Sequence, residues 1–514
     1  MKSIIVFYDD KNSLYKDEKS FDGKSAVELS ALWAEKTGAD KIVTLSDLNS
    51  VTELLEKMTE EAKKNQADYV IFSYNDCPLL NLELTNRLID FHTKYFSEYT
   101  FADGYSKGLS PEIIHTGTLS ILCELSKTTQ SAEGQKPVSR ECIYNLLKTD
   151  INSFEVETVL ADEDYRLLRF NFNCQTKADY LSSLNLYKKM KEDSLTSLES
   201  SCEEINSLAV KTPEVLKTVP CYYNIQIADK CTGKCIYCPY PAFYKNKNGK
   251  EVFDASAVMS YDNACSLIEK IEKFSSQAVI CLSLWGEAFE NPDVFKIIEK
   301  IISYKGLSVF IETDGLLIND SICEKLKEIT DKKYEHSNGW PQVMVAVSMD
   351  AFTDVTYKKI RGNEKSLNDA VLVVEKLNRI LPGNVYPQFV RMNANEEELE
   401  GFFRYWKEKS NASGGEFIIQ KYDDFVKLLP SEKPADLSPI ERNVCWHLRR
   451  DMNILTNGDV VLCREYVLDK VIGNVFKDDL ETIWKQMDKA LISQLEGNID
   501  KKCGDCDEYY TFNF

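Results

Sequence analysis

CTGKCIYCPY, residues 231–240, sets Cys231, Cys235 and Cys238 in a CxxxCxxC spacing, with Tyr237 just before the last. A disulfide takes two cysteines and a closed tetrahedral zinc site takes four ligands, so three is the wrong number for either. Thiolates suit iron–sulfur clusters as well as zinc. A four-iron cubane held by three protein thiolates leaves one iron open to an outside ligand. A zinc site short of one ligand needs a His or Asp, and the nearest histidines, His115 and His336, lie far away in sequence.

The neighbouring pattern places this loop in a fold. YYNIQIA (222–228) alternates as a strand and runs straight into the cysteines. AVICLSLWG (278–286) is a near-continuous apolar strand. A helix follows, with Asn291 as N-cap, Pro292 at its first position and Gly306 as its stop. Val294, Ile297, Ile298 and Ile301 fall on one apolar face of it. LSVFIETDG, VMVAVSMDA, VYPQFVRMN and EFIIQKYD continue as strands separated by helical patterns, without a hairpin signal. Six strand–helix alternations predict a partial (β/α)6 barrel of parallel strands, open or closed, with its chemistry at the strand C-terminal ends.

The CxxxCxxC loop in this position resembles the signature of the radical S-adenosylmethionine (SAM) superfamily. That resemblance implies a [4Fe-4S] cluster on Cys231, Cys235 and Cys238, with the amino and carboxylate groups of SAM on the open iron. Electron transfer then breaks the S–C5′ bond, and the 5′-deoxyadenosyl radical takes a hydrogen atom from substrate. LWGEAFENPD (284–293) resembles the family's Gly-Gly-Glu segment, with Gly286 and Glu287 matching and Trp285 in place of the first glycine. By resemblance Glu287 holds the SAM amino group, a carboxylate being the right partner for an ammonium. IETDGLLIND (311–320), with Thr313, resembles the TNG segment, Asp314 standing where Asn is common. VSMDAFTDVTYKKIRG (347–362) resembles the SxD…YxxIR segment. Ser348 and Asp350 are thereby expected near the ribose, Arg361 at the SAM carboxylate and Tyr237 beside the adenine. Gln388 and Arg391 are three apart, so a regular strand points them to opposite faces, and neither is given a role.

Cys445 begins a second constellation, Cx12Gx4C to Gly458 and Cys463, closed by CGDC at Cys503 and Cys506. On spacing alone a four-cysteine zinc knuckle fits as well as a cluster. With GNVFKDDLETIW between, the arrangement resembles the SPASM/twitch extension of radical SAM enzymes. The four cysteines imply one auxiliary [4Fe-4S] cluster, with an electron-relay or structural role. Outside a short helix near DDLETIWKQM, residues 441–514 show few regular runs.

The N-terminal part reads as a parallel βαβ sheet, from SIIVF (3–7), KIVTL (41–45) and YVIFS (69–73). NDCPLL (75–80) and YTFADGYSKGLSPEII (99–114) resemble a GT-A nucleotidyltransferase, with Asp76 at its metal position. The phosphate-cradling loop is replaced by the acidic FYDDKNSLYKDEKSF, and the second metal Asp by a segment near Asn173, so the domain is read as degenerate. Leu181 to about Lys217 is polar, helical and weakly patterned, and reads as a linker. The predicted α/β organisation is therefore 1–205 GT-A/Rossmann-like, 206–440 radical SAM core and 441–514 SPASM/twitch. That order resembles the spirochaete spiro-SPASM family.

Length and charge bound the rest. A chain of 514 residues predicts several domains, and a net charge of −20 repels phosphate backbones, arguing against nucleic acid. The apolar run before Asp9 is too short for a secretory segment and no window suits a membrane span, so a soluble cytoplasmic protein is expected. Nine of the 16 cysteines are scattered singly and read as buried thiols. The sequence thus predicts an enzyme acting on an unidentified peptide or sugar-like substrate, fed by a flavodoxin- or ferredoxin-like electron donor. A nucleotide-sugar-binding transferase with structural iron–sulfur or zinc sites is the alternative, and a non-enzymatic metal-bearing interaction protein a third.

Overall fold

The structure, a computed structural model, describes residues 1–128, 132–231, 233–240, 256–362, 365–409, 415–466 and 470–511. It divides into two compact units, Met1–Thr218 and Val219–Phe514.

The first unit is built on β1 (Ser3–Asp9), β2 (Lys41–Ser46), β3 (Tyr69–Tyr74), β4 (Tyr99–Asp103), β5 (Glu112–His115) and β6 (Val156–Leu160), in the order β2-β1-β3-β5-β4-β6. The β1, β2 and β3 pairings are parallel, as the βαβ spacing predicts. β5 runs antiparallel to both β3 and β4, so the sheet is mixed rather than parallel throughout. The segment expected to be a helical linker is helical, over Lys177–Glu192, Cys202–Lys211 and Pro213–Leu216, but it is no linker. Leu186, Met190, Ile205 and Ala209 on these helices are buried, and that apolar surface keeps the segment in the first unit.

The second unit carries β7 (Tyr222–Ile225), β8 (Ala278–Cys281), β9 (Leu307–Thr313), β10 (Val343–Ser348), β11 (Val385–Arg391), β12 (Ile418–Lys421), β13 (Asp451–Ile454), β14 (Asp459–Val461) and β15 (Val471–Asn474). They form one sheet, β12-β11-β10-β9-β8-β7-β13-β14-β15, whose first six strands are parallel. The barrel is therefore open, and β13 extends it by pairing parallel to β7. The last three strands correct the expectation of few regular runs after 441. Their signal was present: Asn457-Gly458 between apolar runs is a hairpin turn, with Gly458 at φ +85° and Leu455 N–H donating to Asp459 O at 2.8 Å.

Both faces of the parallel strands are apolar at period two. Val309, Ile311, Val343, Val345 and Val347 pack outward under the helices, while Phe310, Met344 and Ala346 pack on the inner face. The helix Val294–Ile302 presents the predicted buried face, but its N-cap is Asp293. Asn291 acts one step earlier: its Oδ1 accepts from Asp293 N–H, and its Nδ2 donates to Ile227 O and Met259 O. No helix among the described residues is long and apolar enough to cross a membrane.

Candidate functional site

The inner face turns polar toward the strand C-terminal ends. Asn224 on β7, Glu312 on β9, Ser348 on β10, Gln388 on β11 and Gln420 on β12 continue the inward period and line one cavity of ≈ 240 Å³. All seven motif cysteines open onto this cavity: Cys231, Cys235 and Cys238 from the loop after β7, and Cys445, Cys463, Cys503 and Cys506 from the C-terminal region.

The loop is anchored rather than loose. Ile236 N–H donates to Ile360 O at 3.0 Å, tying it to the helix Asp354–Arg361. Tyr237 O–H donates to Asp350 Oδ2 at 2.9 Å, Arg361 Nη1 donates to the same oxygen at 3.0 Å and also bonds Tyr237 Oη. Asp350 Oδ1 accepts from Val390 N–H at 2.7 Å. Asp350 is fully buried, with both oxygens spent inside the protein. This corrects the expectation that it reaches the ribose: its carboxylate locks Tyr237 and Arg361 in place. Arg361 lines the cavity, and its buried Nε has no hydrogen-bond partner among the described residues. That donor is left over for an anionic group in the cavity, as the SAM carboxylate would be.

Opposite lies Glu287. Its Oε2 accepts from Thr313 Oγ1 at 3.0 Å and Asp314 N–H at 3.3 Å, and its Oε1 from Phe289 N–H. Burial, with the neighbouring Asp314 carboxylate, pushes the Glu287 carboxyl up to about 7. A bound ammonium would reverse that push. Gly286 stands at φ +78°, and a Cβ there would lie 2.0 Å from Ala228 O. Replacing it with Ala is expected to cost roughly 2 kcal/mol or more from the left-handed backbone and the clash together, read as a lowered denaturation midpoint. Trp285, which departs from the Gly-Gly pattern, packs with Tyr240, Leu455 and Val461 beside Cys238. It ties the cysteine loop to the C-terminal hairpin.

The residues fit the implied clusters. A Cβ at Gly233 would sit 3.4 Å from Cys231 Sγ and 3.5 Å from both Cys235 Sγ and Asp314 Oδ2, so the two sulfurs flank the same point of the loop. Burial pushes the Cys238 thiol up to about 12, and that of Cys445 also to about 12, so their thiolates need a cationic centre. In the second set Tyr466 Oη lies 3.5 Å from Cys503 Sγ, and Glu508 N–H donates to Cys506 Sγ at 3.3 Å. Among the described residues no three His, Cys, Asp or Glu converge as the shell of a single metal ion.

Sequence reading missed the charged wall beside the second set: Lys421, Asp423, Arg464, Glu465 and Glu508 all line the cavity. Arg464 Nη2 donates to Asp423 Oδ2 at 2.9 Å and Glu508 Oε2 at 3.0 Å. Inward strand period would have found Glu312, Gln388 and Gln420; no local signal marks Asp423 or Glu465. As the three-residue separation predicts, Arg391 points away from Gln388 and pairs with Glu396 at 2.5 Å.

Asp76, in the first unit, is not open to a metal ion. It is 1% exposed, and its Oδ2 accepts from Arg140 Nη2 at 2.6 Å and Ser13 Oγ at 2.5 Å. A guanidinium stands where the resemblance put a cation. Asn173 is likewise buried, its Oδ1 accepting from Gln175 N–H.

Residues 225–405 match the family model described as the radical SAM superfamily, and residues 445–507 that of an iron-sulfur cluster-binding domain, SPASM. An uncharacterized protein of Treponema pallidum (strain Nichols) is 36% identical over 377 residues, covering 72% of this chain and 98% of that protein. A GTP 3′,8-cyclase of Lactiplantibacillus plantarum is 27% identical over 203 residues, covering 38% of this chain and 54% of the cyclase. Among solved structures, Streptococcus suis SuiB bound to precursor peptide SuiA is similar with a TM-score of 0.41 and 14% identity, over 68% of this chain and 88% of that one.

Proposed function

Because the chain belongs to the radical SAM superfamily and carries a SPASM domain, an enzyme class that binds SAM and iron–sulfur clusters, we propose that Cys231, Cys235 and Cys238 hold the SAM-binding [4Fe-4S] cluster and that Cys445, Cys463, Cys503 and Cys506 hold one auxiliary cluster. When bound, the cluster and SAM supply reductive cleavage to a 5′-deoxyadenosyl radical, which takes hydrogen from a peptide or sugar-like substrate. The observation that carries this reading is that both cysteine sets open onto one cavity, with Glu287 and Arg361 at its loop end.

The protein's own residues do the positioning. Glu287, fixed by Thr313 and the Asp314 N–H, offers a carboxylate to the SAM amino group. Arg361, fixed by Asp350, offers its free Nε to the SAM carboxylate. Ser348 lies on the inner face beside them. Gln388 and Glu312 line the same cavity as both cysteine sets, which offers the space for substrate. The electron is supplied from outside, by a flavodoxin- or ferredoxin-like donor.

Anaerobic reconstitution is expected to load about eight irons per chain, as two cubanes require, and dithionite with SAM to release 5′-deoxyadenosine. Zinc in both sites with SAM left intact would overturn the assignment.

A further inference from the structure

We propose that the cavity holds a subsite for a protonated amine of the substrate, formed by the Glu465 carboxylate beside Asp423. This deepens the functional reading above and rests on it. Four carboxylates crowd this wall: Asp423, Glu465, Asp507 and Glu508. Three of them are matched by three cations. Arg464 bridges Asp423 and Glu508, Lys421 pairs with Glu508 at 2.5 Å and Asp507 at 2.9 Å, and Lys433 pairs with Asp507 at 2.5 Å.

Glu465 is the most weakly matched carboxylate: it lies against the Asp423 carboxyl, and its nearest cation among the described residues is Arg464. The Glu465 side chain is 4% exposed and lines the cavity, yet neither carboxyl oxygen accepts a hydrogen bond from a nitrogen donor among the described residues. Arg464 Nε stays 3.7 Å away, outside hydrogen-bonding distance, and Lys502 donates to the Glu465 backbone carbonyl. A buried carboxylate with both oxygens unsatisfied is costly unless a donor arrives. Gln388 repeats the pattern from β11: its Nε2 donates to Gln420 Oε1, while its buried Oε1 has no partner. Acceptors without a nitrogen donor therefore line the cavity that both cysteine sets share. An ammonium, with three donors, satisfies these acceptors. The amine can belong to an amino sugar or to a lysine side chain.

The test titrates SAM-loaded, reconstituted enzyme calorimetrically with two matched pairs: glucosamine against glucose, and acetyl-Gly-Lys-Gly-amide against its norleucine analogue. At least tenfold tighter binding of the amine is expected in one pair, and which pair shows it assigns sugar or peptide. Glu465→Gln is expected to abolish that preference, and Glu465→Asp to retain part of it, in protein with unchanged iron content. If Glu465→Gln fails to load iron, Glu465→Asp and the wild-type pairs decide. Equal binding of amine and neutral partner in both pairs, or a preference untouched by Glu465→Gln, overturns the subsite. Release of 5′-deoxyadenosine by the wild type is scored separately, so failure of the radical reading is distinguished from failure of the amine site.

Discussion

Replacing Cys231, Cys235 and Cys238 together by Ala is expected to abolish 5′-deoxyadenosine formation and to lower iron from about eight to about four per chain. The effect on cleavage is all-or-none because no other group can take over. The three thiols come from one anchored loop, and the remaining motif cysteines belong to the separate set on Cys445, Cys463, Cys503 and Cys506. The fold itself is expected to survive. Tyr237, Arg361 and Asp350 hold the loop through contacts that do not use the sulfurs. The matching replacement of Cys503 and Cys506 should also remove about four irons. Iron analysis with absorbance near the charge-transfer bands reads both. Residual SAM cleavage in the triple variant would show that another site holds the active cluster.

Asp350→Ala is the second large effect, on stability rather than chemistry. Asp350 is fully buried and Arg361 has a side chain 4% exposed. Removing the carboxylate strands a buried guanidinium, a loss of about 3–5 kcal/mol. It also unpairs Val390 N–H and places Ala at φ +59°, where Asp is tolerated far better. Asp350→Asn keeps an acceptor for Val390 and tolerance of that backbone, and so should lose less. The check is the denaturation midpoint at constant m-value on reconstituted protein. A loss below about 1 kcal/mol would mean that Arg361 draws its compensation elsewhere, with the cluster thiolates the nearest candidates.

Much of the barrel was legible because it is written locally. Period-two apolar runs, helix faces and the spacing of three cysteines are properties of short segments, and β7 to β12 follow them in order. Gly286, Glu287, Thr313 and Ser348 sit at the ends of such segments and reach the predicted cavity. The roles that failed are those set by burial. Asp350 shares the motif with Ser348, but its positive φ turns its carboxylate into the protein to meet Arg361 and Tyr237. Asp76 keeps the motif position, but Arg140, distant in sequence, neutralises it.

By itself the sequence determined the strand–helix alternation, the unequal cysteine sets and the segments whose ends line the cavity, because each depends on residues a few positions apart. Only the tertiary structure decided that β13 joins the sheet beside β7, bringing residues near 450–508 to the mouth formed by 231–361. It alone left Glu465 in the shared cavity with no cation among the described residues closer than Arg464, 3.7 Å away. Whether a carboxylate is paired depends on which cations the fold brings within a few ångströms, and residues 421, 423, 464 and 508 meet only after folding.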